Sequence, residues 1–146
     1  MPTKIKGDAV ILSIYDGSAT YEPIACLTSN GLSETRNIIE SQTKCDPGQI
    51  IKTEGSYTYE IPFEGEYIQT EAGLLSWVEL QAKISDLAGA GVVTWRITTG
   101  QDSGTTELYG SGIFQDLELT ADAGDSIATF SGTISGSGVP STTDPN

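Results

Sequence analysis

The side chains of this chain that could do chemistry are carboxylates, and they fall into three groups. Asp122 and Asp125 flank Gly124 in a turn, Asp102 stands near Glu107, and Glu60, Glu64 and Glu66 line up along one strand. The first two groups offer oxygen donors for calcium, but that ion takes roughly six to eight oxygens, and an EF-type loop has a denser D-x-D-x-D-G series. A solvated turn is the simpler reading. As a glycosidase pair the three glutamates would need a cleft and one raised pKa, and the sequence signals neither. They read as a negatively charged sheet surface. Gly110-Ser111-Gly112 lacks the third glycine and the following helix of a dinucleotide fingerprint, so it marks a bulge or a close backbone approach. The chain has no histidine. Ser-His-Asp and Cys-His pairs and imidazole-ligated zinc are therefore excluded. No catalytic residue, metal or cofactor is expected, and the chain reads as a non-enzyme.

Composition points the same way. The 146 residues carry 20 acidic and 7 basic side chains, a net charge of −13, with 37% hydrophobic residues and 17 glycines. That length suits one domain with a core of its own. Glycine, serine and threonine in place of charge and bulk are typical of a turn-rich β protein. The negative charge argues against sequence-independent binding to nucleic acid and against docking on an anionic membrane. No segment reads as a secretory h-region or a membrane span. Cys26 and Cys45 could pair in an oxidising compartment, while two reduced cysteines are the simpler expectation.

The elements that must position these groups follow a period of two. Val10, Leu12 and Ile14 mark a first strand, Asp16-Gly17 a hairpin, and a second strand runs from about Tyr21 to Thr28. Asn30-Gly31 predicts a second tight turn into a strand over 33–40, which makes a meander. Residues 41–55 break the pattern around Asp46-Pro47-Gly48, with Lys44, Ile50, Ile51 and Lys52 nearby. A loop this long is either a contact surface or an ordinary hairpin excursion. Tyr57, Tyr59, Ile61 and Phe63 share a buried face, and Pro62 predicts a place at or near a sheet edge. Ser76-Trp77-Val78-Glu79 is a capping box opening a helix over about 76–88, with Trp77, Leu80, Ile84, Leu87 and Ala88 inward and Gly89 as its stop. Val93, Trp95 and Ile97 define the next strand. After a polar loop, Ile113, Leu117, Leu119 and Ala121 are expected inward on a longer one, and Ala128, Phe130 and Ile134 on the last. The ends, residues 1–7 and 136–146, read as arms, the second flexible and holding Gly136, Gly138 and Pro140. Eight or so strands and one helix predict a β-sandwich or partly closed barrel with a flanking helix.

The run Ser76-Trp77-Val78-Glu79-Leu80, then Val93-Thr94-Trp95-Arg96-Ile97, then Tyr109-Gly110-Ser111-Gly112-Ile113-Phe114 has a recognisable order. It is completed by Leu117 to Leu119, the Asp122 to Asp125 turn, and Ala128 through Gly138 before a Pro/Thr-rich end. Together with the N-terminal meander and the loop bearing Cys45-Asp46-Pro47-Gly48, this resembles the major tail tube proteins of long-tailed, siphovirus-type phages. The resemblance implies hexameric rings, joined edge to edge through their inner sheets and stacked into a hollow tube that delivers DNA without specifically binding it. It implies contacts between copies through the long loop and the arms, with Lys44, Asp46, Pro47, Gly48, Ile50, Ile51, Lys52, Gly136, Gly138 and Pro140 as candidates. It further implies tape measure, terminator and distal tail proteins as partners, a place in the virion tail, and assembly in the host cytoplasm. Similar folds build contractile tails. The competing reading is a carbohydrate- or surface-binding β-sandwich, in which Tyr15, Tyr21 and Tyr109 could form a ligand platform.

Overall fold

Period-two patterning builds nearly all of the molecule. The computed structural model describes residues 7, 10–15, 20–24, 27–42, 44–45, 48–67, 75, 77–86, 92–99, 106–124 and 126–145. Its strands are β1 (Ile11–Tyr15), β2 (Tyr21–Pro23), β3 (Leu27–Asn30), β4 (Ser33–Ser41), β5 (Ile51–Glu66), β6 (Val92–Thr99), β7 (Thr106–Thr120) and β8 (Thr129–Ser141), and its helix is α1 (Trp77–Ile84). They form one antiparallel sheet in the order β2-β1-β6-β7-β8-β5-β3, with β4 also on β5.

The sheet is rolled. In its order β6 and β5 stand three places apart, about 14 Å in a flat sheet. Yet the Trp95 indole N–H on β6 donates to the Tyr59 hydroxyl on β5 at 3.2 Å, and the two rings meet edge to face at 5.6 Å. The far ends also meet, where the Asn30 amide donates to the Val10 carbonyl at 3.3 Å. The curled inner face holds the core, in which Leu12, Ile14, Ile61, Trp95 and Ile134 are completely buried. This is a partly closed barrel. The helix α1 closes its flank with Leu80 fully buried, and Trp77 rests on Tyr67 with ring centroids 6.0 Å apart.

Several expectations need correction. The segment over 21–28 is two strands with different partners: β2 pairs β1 and β3 pairs β5. Asn30-Gly31 makes no hairpin, because Asn30 faces Phe63 and Ser33 faces Glu60 in one unbroken register. Thus β3 and β4 are collinear along β5. Between them the Gly31 N–H donates to the Pro62 carbonyl at 3.1 Å, and Pro62 has no N–H to return. That missing donor explains the interruption. Pro62 sits one strand in from the end of the sheet, near its edge as expected, with Thr133 of β8 on its other side.

On β7 the core-facing residues are Leu108 and Phe114 and then Leu117, while Ile113 and Leu119 are largely exposed. The register shift at 114/116 changes which parity faces the core, and a bulge does this by adding an unpaired residue. The expected loop over 41–55 is shorter, since Ile51 already begins β5. The C-terminal segment is no flexible arm through Ser141. It is the second half of β8, paired with β7 as Gly112↔Gly136, Ser111↔Ser137 and Tyr109↔Ser141. Residues 1–6, the Asp16-Gly17 turn, Cys26, Ser76, Leu87 to Gly89, Asp102 and Asp125 lie outside the described residues.

Candidate assembly surface

The sequence of β4, Ser-Glu-Thr-Arg-Asn-Ile-Ile-Glu-Ser, has no alternation and so no face to bury. Every one of its residues is exposed. It pairs with the first half of β5, where the residues from Ile51 to Glu54 are exposed as well. The result is a long two-stranded hairpin standing out from the barrel. Its stem is cross-linked by side chains: Arg36 to Glu54 at 3.0 Å, Lys52 to Glu40 at 3.9 Å, and the Asn37 amide donating to the Ser56 hydroxyl at 2.8 Å. At its root the Tyr57 hydroxyl donates to Glu34 at 2.6 Å. Desolvation, then this hydrogen bond and the adjacent Glu34 charge, push the Tyr57 pKa up to about 12.

The apolar residues of the hairpin are its informative feature. Ile38, Ile39, Ile50 and Ile51 are 60%, 57%, 58% and 47% exposed. Isolated exposed apolar residues mean little, but four isoleucines on one projecting element form a surface that fits a protein partner. Lys44 and Cys45 lie in the tip turn, and Gly48 takes a φ of 78° there. Asp46 and Pro47 lie outside the described residues.

The sequence-derived contact residues thus divide into two places. Lys44, Gly48, Ile50, Ile51 and Lys52 gather at the hairpin tip and its first strand pairs. Gly136, Gly138 and Pro140 lie on β8, at the hairpin's root, where Gly136 abuts the Tyr59 ring. The five residues of β8 from Ser137 to Ser141 lie opposite the three of β7 from Tyr109 to Ser111, and Gly138 absorbs the excess with a φ of 75°. Sequence reasoning missed Ile38 and Ile39, having placed them in an ordinary strand. The signal was present in the absence of any buried parity along β4.

Two further surfaces belong to the geometry. Among the described residues β4 pairs only with β5, and β8 leaves β5 after Ser135, so both expose backbone able to pair with another chain. On the outer face of β5, β8 and β7, Glu64, Ser131 and Glu118 form one cross-strand row. Glu60, Glu66 and Asp116 share that face, which is exposed at every one of these carboxylates.

The structure brings the three tyrosines together, with the Tyr15 and Tyr21 ring centroids 5.1 Å apart. Tyr21 and Tyr109 are nearly buried, with ring centroids 5.6 Å apart, and the Arg96 guanidinium lies 4.8 Å above the Tyr21 ring. The Tyr21 hydroxyl donates to Asp144 at 2.9 Å, and that of Tyr109 donates to Glu107. The Glu107 hydrogen bond, then desolvation, push the Tyr109 pKa up to about 12. Among the described residues no cluster of three metal-ligating side chains occurs.

No protein-family model matches the sequence, and no curated protein matches it. Solved structures do. A chain in the tail of an empty gene transfer agent particle, refined with C6 helical symmetry, superposes with a TM-score of 0.72 at 15% identity, over 95% of this chain and 98% of that one. A chain of the SPP1 tail tube superposes at 0.68 and 13% identity, over 92% of this chain and 77% of that one. The chain has a phage tail tube fold. A chain of the anti-feeding prophage baseplate has a TM-score of 0.65 at 11% identity, covering 94% and 95%. The tail tube fold is therefore retained here with little sequence in common.

Proposed function

We propose that this chain is a non-enzymatic structural protein of a phage-like particle, one tail tube domain over residues 1–146 that polymerises into the tail tube. The observation that carries this reading is the projecting hairpin with its four exposed isoleucines, set on a tail tube fold. Copies associate first into rings, with six as the proposed number, through the unpaired edges of β4 and β8. Main-chain pairing of this kind needs no special side chains. Rings then stack through the hairpin and the second half of β8, with Lys44, Asp46, Pro47, Gly48, Ile50, Ile51, Lys52, Gly136, Gly138 and Pro140 as the contact residues. Stacking is a heterologous contact that does not close, so its product is an open filament.

The tube is a DNA conduit in this reading. A net charge of −13 per copy gives an assembled wall that repels phosphate, and DNA slides along it instead of adhering. Tape measure, terminator and distal tail proteins are the further partners, the tail of the virion the location, and the host cytoplasm the place of assembly. Sedimentation velocity over a wide concentration range tests polymerisation. Species many times the 15.4 kDa of one copy, growing with concentration, are expected.

A further inference from the structure

The hairpin tip of one copy must be seated on another, and the far end of the molecule carries a groove that matches it. This groove lies between α1 and strands β1 and β2, with a volume of about 410 Å³. Buried Ile14 and Leu75 form its floor, and among the described residues Glu22, Glu79 and Asp86 stand around it with the ammonium of Lys83. The tip has the opposite character. Between Glu40 and Glu54, residues 41–53 carry Lys44 and Lys52 against Asp46, a net charge of +1 in a chain at −13, beside exposed Ile50 and Ile51. Lys52 is in an exposed pair with Glu40 at 3.9 Å.

The two surfaces also lie at opposite ends. The tip precedes Ile51, where β5 begins, and α1 starts at Trp77, whose ring meets that of Tyr67 just past the end of β5. A 16-residue strand separates them by about 50 Å. Across the seam, Asn30 near the far end of β5 holds Val10, and β1 climbs from there still further from the hairpin, toward Ile14 and Tyr15. Copies displaced along β5 therefore bring tip and groove together, and the contact repeats without closing. The larger groove at the seam, about 690 Å³ and lined by Val10, Leu27, Ser29 and Asn30 among others, contributes no carboxylate among the described residues to meet two lysines.

We propose that the groove beside α1 receives the hairpin tip of a second copy, head to tail, with Ile50 or Ile51 on the Ile14–Leu75 floor and Lys44 and Lys52 at its carboxylates. This rests on the polymerising reading and names its receiving surface. Apolar burial supplies the attraction, and the charges fix register and partner.

Charge exchange tests it, with assembly of the full chain followed by sedimentation and folding by circular dichroism. The variants K44E/K52E and E22K/D86K should each raise the concentration needed for assembly about tenfold, and the four-fold combination should return it close to the wild-type value. Ala82→Trp, at an exposed helix position on the groove wall, fills the seat without changing charge and should block assembly while the monomer stays folded. Wild-type protein that assembles while E22K/D86K and Ala82→Trp assemble equally well overturns the seat and leaves the polymerising reading intact. Wild-type protein that stays monomeric throughout overturns both.

Discussion

Gly136 lies so close to Tyr59 that a Cβ there would stand 2.2 Å from the ring. The ring cannot yield easily, since its hydroxyl donates to the Ser111 carbonyl at 2.6 Å and accepts from Trp95. Gly136→Ala should cost about 1–3 kcal/mol by overpacking, measured by urea denaturation against wild type. Two other tyrosines set an alkaline limit. The Tyr57 and Tyr109 pKa values are both raised from 10.0 to about 12 in the folded chain. Raised folded values give stability that is fully present below pH 10 and is lost as pH rises through 12. Urea midpoints should therefore hold to about pH 10 and fall above it, with tyrosinate absorbance lagging that of free tyrosine. Replacing Tyr109 with Phe should lessen that decline.

At the scale of elements, the hairpin and the barrel have separate jobs, and substitutions should separate them. Replacing Ile38, Ile39, Ile50 and Ile51 together with Ser removes no core contact, so monomer stability should shift by no more than about 0.5 kcal/mol per site, while assembly is lost. Equal loss of melting temperature and assembly would show that the isoleucines serve the fold. The same division explains what the sequence made legible. Tyr59, Ile61 and Phe63, Val93, Trp95 and Ile97, and Phe130 and Ile134 alternate cleanly because one face of each strand is buried, and the one described helix follows from Leu80 and its neighbours at helical spacing. Partners were not legible, since alternation says which face is inward but not which strand lies beside it. Asn30-Gly31 therefore read as a turn, though the chain runs straight on past Pro62. Ile113 read as core because the bulge after Phe114 in β7 leaves no local mark. Of the candidate surface, the tip loop was visible through Asp46-Pro47-Gly48, whereas Ile38 and Ile39 became meaningful only once β4 was seen to cover nothing.

At the scale of the whole molecule, an acidic barrel, a near-neutral arm and unpaired edges are the features that the proposed assembly uses. The carboxylates of β5, β7 and β8 lie on the outer sheet face, away from the core, where a wall built from many copies would gather their charge. An excess of like charge also opposes association, so assembly should strengthen as salt rises and the repulsion is screened. Electron microscopy of the concentrated wild-type protein tests the central claim most directly. Hollow rings or tubes are the expected images. Fields of single, monomer-sized particles at every salt and protein concentration would contradict it.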